Sequence, residues 1–380
     1  MRVRRGRART ATIPALPMQA TLLESVLNAT FARAREDGTR GEWLERVVRE
    51  PSLTRSLALW IRAVHDGVPP PREELIALLQ RMIAEIDQRV SAQLCAILHH
   101  RRFQALEASW RGLDYLVERS VGVDKVKIRL LAVTWREIAR DLERAIEFDQ
   151  SQLFRKVYSE EFGTPGGEPF GVLLGDYAVA HVPRPDSPVD DVTVLKGVAA
   201  VAAAAFVPFI ASVHPSLFGL DAFADFERSF DLARVFQSPD YIRWNSLREL
   251  EEARFVGLTL PRFSIRPPWR DDPRRTDGFR FVERHGAADG SELLWANACY
   301  AFGAVLVRSF GQSGWLASIR GVERGVEGGG FVQAAIRASA TTDARGVVAI
   351  PPTEVVITDT QEKALADMGF VPLCALQACS

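Results

Sequence analysis

From residue 72 onward, apolar side chains return every third or fourth position: Leu75, Leu78, Leu79, Met82, Ile83, Ile86, Val90, Leu94 and Ile97. That spacing places them on one stripe of a long helix. Phe103, Leu106, Trp110, Leu113 and Val117 predict a further helix, and Trp43 to Val48 with Leu57, Trp60, Ile61 and Val64 predict helical segments before the break GVPPPRE. Upstream, Leu22, Leu23, Val26, Leu27 and Phe31 mark a short amphipathic helix, set apart from the rest by composition. The first 120 residues therefore read as all-helical.

The pattern changes after residue 120. KVKIRLLAV alternates, with Val126, Ile128 and Leu130 in phase, and predicts a strand. Trp135, Ile138, Leu142 and Ile146 predict a helix, and Leu153, Phe154, Val157 and Tyr158 predict another. PFGVLLGDY reads as a buried strand closed by Gly175 and Asp176. Val192 to Ala205 is a small-residue helix, FVPFIASV a strand, and SPDYIRW a helix start with Ser238 as N-cap and Pro239 in the first turn. VGLTLPRFSIR predicts a strand, Ser291 to Arg308 a helix, and TEVVIT a strand. A last helix begins at Asp359 and stops at Gly369. Strands alternating with helices give a mixed α/β class for this part. The expected organisation is a basic arm with an exposed amphipathic helix (1–35), a helical region (36–120) and a mixed α/β core (121–380).

Composition narrows the function. The 380 residues are 47% hydrophobic and 25% charged with net charge -1, so no global field draws the chain to nucleic acid or a lipid surface. MRVRRGRART is basic, but no apolar stretch follows it as in a secretory leader, and a solvated basic arm is expected. No run is long and apolar enough to predict a membrane span. The four cysteines form no CxxC pair, which suits a reducing, cytoplasmic setting.

The densest candidate for chemistry is EFDQSQLFRKVYSEEFGTPGGEPFGVLLGDY, residues 147–177. A Walker loop needs GxxxxGK followed by Ser or Thr; here Glu168 follows Gly167, and two prolines remove backbone donors. GxGxxG is absent. The segment reads as a structural turn in which Gly163, Gly166 and Gly167 supply positive φ, while Pro165 and Pro169 fix the approach to a strand. Asp149, Glu160, Glu161, Glu168 and Asp176 cluster in sequence as a hydrolase pair would, but Glu160 and Glu161 read as the solvated side of an amphipathic helix. The six histidines show no HExxH, and GxSxG is missing. No enzymatic activity, cofactor or metal is expected.

FQALEASWRGLDYLV (103–117), the 147–177 block, FVPFIASVHPSLFGLDAF (206–223), WNSLRELEEARFVGLTLPRF (244–263) and PTEVVITDTQEKALADMGFVPL (352–373) resemble the large subunit of the type VI secretion contractile sheath, the TssC/VipB family. The resemblance spans about residues 20 to 373. It implies a structural, non-enzymatic protein that pairs with a small sheath subunit and stacks with its own copies into a helical tube. That tube sits on a baseplate around an inner tube and contracts to propel it. It also implies a ClpV-type AAA+ ATPase that disassembles the contracted sheath by gripping a short N-terminal helix, matched here by Leu22, Leu23, Glu24, Ser25, Val26 and Leu27. Family members continue beyond the equivalent of GFVPL. The resemblance therefore leaves a second expectation open: a truncated or diverged paralogue that binds sheath components but caps or regulates the lattice.

Overall fold

The computed structural model describes residues 46–64, 71–227, 231–271, 274, 278–283, 293–321, 328–333, 340–343, 346–349 and 352–374. The helix expected at Leu22–Leu27 lies outside them. The chain divides into two compact units, one containing the described residues up to Ile97 together with those of 269–283, the other running from Leu98 to Pro268 and through the described residues from 293 on.

The first unit holds α1 (Leu53–Val64) and nearly all of α2 (Arg72–Leu98). Glu73 and Glu74 sit in the first turn of α2, where carboxylates favour the positive end of the helix dipole. The predicted apolar stripe is present, yet none of the 27 residues of α2 is buried.

The second unit is built on a four-stranded parallel sheet in the order β1 (Leu173–Val179), β2 (Phe209–Val213), β3 (Val256–Leu260) and β8 (Phe370–Pro372). β2 is buried at all five positions, as an interior parallel strand covered on both faces should be. Its alternation sorts the core. Phe209, Ala211 and Val213 face a cluster with Trp135, Leu195, Val198, Phe218, Trp244 and Phe370. Ile210 faces the other way, into a cluster with Tyr115, Leu116, Phe263 and Tyr300.

On the first face lie α4 (Trp135–Arg144) and α5 (Asp191–Ala204). Thr134 and Glu137 form a reciprocal capping box at the start of α4. α5 buries eight of its 14 residues, and its Ala and Val side chains allow the close approach that such burial needs. On the second face, α3 (Arg101–Ser120) packs against α7 (Ala298–Ser313). Gly112 of α3 makes this possible: a Cβ there would stand 2.4 Å from the Tyr300 ring. The remaining elements are α6 (Ile242–Arg248), the antiparallel pair β4 (Phe263–Arg266) and β5 (Leu294–Ala296), the hairpin β6 (Ala340–Asp343) with β7 (Gly346–Ala349), and α8 (Asp359–Asp367).

Mixed α/β architecture is thus what the chain adopts, with differences in detail. Among the described residues KVKIRLLAV belongs to no ladder. TEVVIT contributes only a single bridge, Thr353 to Phe263. VGLTLPRFSIR divides at Pro261 into β3 and β4, which join different sheets, because proline cannot donate to a ladder. β1 runs through Gly175 and Asp176 rather than ending there, since Asp176 finds polar partners on neighbouring helices. The helix expected from Ser291 begins at Ala298, after β5. Ser238 makes no capping bond to the backbone, and the segment behind it breaks into short turns before and after α6. The last helix begins at Asp359 as expected, is capped by Thr358 and Gln361, and Gly369 follows it at φ +85°.

Candidate docking surfaces and the polar network behind them

The Gly/Pro turn is built from its own backbone. Ser151 caps a short helical turn at Gln152–Phe154, which widens into a π-helical turn over Arg155–Ser159. The wide turn is sealed by Gly163 N–H donating to the Tyr158 carbonyl at 2.8 Å and Gly167 N–H to Thr164 at 2.9 Å. Of the three glycines only Gly166 takes positive φ, at +83°. Gly167 is required for another reason: a Cβ there would sit 2.1 Å from the Glu161 carbonyl oxygen. Pro165 and Pro169 flank these contacts on an exposed surface.

The acidic residues beside this turn are engaged by cations of the chain. Glu161 binds Arg129, and Glu168 binds Lys127 and, at 3.0 Å, Arg129. The Lys127 hydrogen bond, with Arg129 behind it, holds the Glu168 carboxyl below its ordinary range. Arg129 also lies over the Phe170 ring at 5.6 Å. Glu161 is therefore an ion-pair partner rather than a merely solvated charge, while Glu160 stays exposed, 3.4 Å from Arg155.

Asp176, a carboxylate in the midst of an apolar strand, is the hub of the second face. It accepts hydrogen bonds from Ser109 of α3, from Asn297 at the start of α7, and from Tyr300. Burial and the nearby Asp176 charge both push the Tyr300 hydroxyl and the fully buried Cys299 thiol upward, so neither is a nucleophile at neutral pH. Ser212 and Thr259 complete the layer, 3.1 Å apart. Every one of these groups is consumed by a partner within the chain.

On the opposite face Asp191 is 2% exposed. It accepts from Trp135 Nε1 and the Ala180 amide, both at 2.8 Å, and lies 3.4 Å from Arg184. Burial nonetheless raises its carboxyl above the usual range. Sequence reasoning named Asp176 only as one of a cluster of carboxylates at a strand end and missed Asp191, and it recognised neither as a hub. The available signal was an Asp next to apolar strand or helix residues, which a buried site tolerates only when fully hydrogen-bonded. Among the described residues no three His, Cys, Asp or Glu side chains gather as a metal site, and no helix is long and apolar enough to cross a membrane.

Apolar surface is left open as well. Ile76, Ile83, Ile86 and Ile97 of α2 are exposed, Ile83 to 55%. In the second unit α3 turns Phe103, Leu106, Val117 and the 60%-exposed Trp110 outward. Beyond α4, Ile146 and Phe148 are exposed, and the rings of Phe148, Phe154, Tyr158 and Phe162 follow one another at 4.8–5.8 Å. Surfaces of this kind mark sites of protein association.

Residues 80–380 match the family model VipB, described as the EvpB/VC_A0108 tail sheath N-terminal domain. The chain is also 39% identical over 302 residues to the type VI secretion system sheath protein TssC1 of Pseudomonas aeruginosa, a match covering 79% of this chain and 59% of that protein. The chain thus spans about three-fifths of the length of the curated relative it matches.

Proposed function

Because this chain belongs to the VipB tail sheath family, we propose that it is a structural sheath subunit acting in the cytoplasm. It pairs with a small sheath subunit and stacks with its own copies around an inner tube on a baseplate. The lattice then contracts and propels that tube. The observation that carries this reading is α2: 27 residues of amphipathic helix without one buried side chain. An obligate partner that covers the stripe supplies the core this helix lacks, and obligate interfaces of this kind resemble a domain core cut in two. Ion pairing of Glu161 and Glu168, and the inward-turned polar groups around Asp176, favour a scaffold over a reactive site.

Co-expression with the cognate small sheath subunit tests the reading. Stable heterodimers, or tubes under negative-stain microscopy, are the expected result; a chain that stays monomeric beside that subunit overturns it. The segment Leu22–Leu27 is proposed as the handle for a ClpV-type AAA+ ATPase. Its deletion should leave assembly intact and abolish ATP-dependent disassembly, and disassembly at the wild-type rate would refute the assignment.

A further inference from the structure

β1 and β2 each run into a histidine within two residues of their carboxyl ends, His181 and His214. The two are engaged differently. His181 stacks on Tyr241, and among the described residues its buried Nδ1 has no hydrogen-bond partner, so it loses no bond on taking a proton. His214 Nδ1 accepts from the Ser216 amide at 3.2 Å and lies 2.8 Å from the Ser216 hydroxyl, capping the turn Pro215–Phe218. That turn closes the core of the first face. Leu217 and Phe218 are fully buried, and the Phe218 ring meets those of Phe226, Phe236 and Phe370 at 5.2–6.0 Å. The main chain of His214 is fixed separately, its amide donating to the Val179 carbonyl at 2.9 Å. The imidazole can therefore change its bond to the turn without the strand moving.

We propose that His214 is a proton-operated latch: a proton taken from solvent at Nδ1 occupies the lone pair that the Ser216 amide now uses, and loosens Pro215–Gly219 from the carboxyl edge of the sheet. Nδ1 accepts only in the neutral ring. Once it is protonated, the Ser216 hydroxyl can turn to accept from the new N–H, but the Ser216 amide has no such freedom and loses its acceptor. Four charged groups face the ring: Arg184 and Asp186 from the segment after β1, Arg262 from the link between β3 and β4, and Glu354 from the segment before α8. They are already paired, Arg184 with Asp186 at 3.2 Å and Arg262 with Glu354 at 2.6 Å, so neither carboxylate is free to hold an imidazolium. Burial first, and then Arg184, keep the ring below the ordinary histidine range. The latch is therefore shut near neutrality and opens on acidification below about pH 6.5.

The latch does not depend on the sheath reading, and the full chain alone tests it. Amide hydrogen exchange is followed over residues 214–220 and, for reference, over 195–202 of α5, at pH 7.5 and 5.5, with each rate divided by its intrinsic value at that pH. Wild type is compared with His214→Asn, whose side-chain oxygen caps without titrating, and His214→Ala, which cannot cap. Protection of 214–220 should fall at least ten-fold at pH 5.5 in wild type while 195–202 changes less than two-fold. It should stay within two-fold in His214→Asn and be low at both pH values in His214→Ala. Unchanged protection in wild type, or a His214→Asn profile that follows wild type, overturns the proposal. An equal loss over 195–202 also overturns it, because the whole unit and not the turn is then opening. Should a variant fail to fold, the wild-type contrast between the two segments still decides.

Discussion

Two helices of this chain are both rich in apolar residues and meet opposite fates. α5, with 14 residues, buries eight of them, and Leu195 is wholly inaccessible. α2, nearly twice as long, buries none. The first belongs to a body that closes its own core around a parallel sheet. The second has a stripe that none of the described residues of its unit buries. An apolar stripe predicts that a helix face will be covered, but it does not say by which chain.

Substitutions can break that contrast. Leu195→Asp should have the largest effect: an unpaired charge placed against Phe209 and Trp135 should cost more than about 4 kcal/mol and unfold the second unit, as read by denaturant titration of tryptophan fluorescence. A cooperative transition at the wild-type midpoint would show that α5 is not core. Asp176→Ala leaves the Ser109 hydroxyl, the Asn297 amide and the Tyr300 hydroxyl without their acceptor, and a loss of about 1–3 kcal/mol is expected in the same titration.

A smaller effect is expected from pH. Burial is the main cause that lowers both His181, stacked on Tyr241 at 4.1 Å, and His214, which also faces Arg184, Asp186, Arg262 and Glu354. Groups that are harder to protonate in the fold than in the unfolded chain contribute stability that is complete above the unfolded value, roughly pH 6.5, and is lost as pH falls below it. Thermal midpoints should therefore drop between pH 7 and 5.5. The combined His181→Phe and His214→Asn variant should drop less, and an equal slope would exclude these histidines. The smallest effect on the isolated chain comes from Ile83→Asp, within about 0.5 kcal/mol because the site is already wet. The same change should abolish recovery with the small sheath subunit. Normal recovery would mean that the stripe of α2 is not a docking face.

The helices were the legible part of this sequence. Periodicity located α2 and α3 to within about one turn, since amphipathicity acts through the 3.6-residue period, and the run of Ala and Val located α5. Strand pairing was less legible. Val126, Ile128 and Leu130 alternate as a strand should, but a ladder requires a neighbour, and none of the described residues supplies one. Conversely β8, three residues long, carries too little pattern to be seen and is anchored by Phe370, which stacks on Trp244 and meets Phe218 edge-on in the core. The Gly/Pro turn was recognised from its residue types, yet the separate reasons for Gly166 and Gly167 are geometric. Asp176 and Asp191 were hidden because their hydrogen-bond partners come from distant segments: Ser109, Asn297 and Tyr300 for one, Trp135 for the other.

The convergence on Asp176 has a mechanical side. A long helix, a strand and the first turn of another helix are knotted at one carboxylate, with directional bonds. These bonds tie α3 to the sheet directly, beside the apolar contacts of the same layer. Under the proposed sheath role, such an internal rivet displaces strain to the joints between subunits.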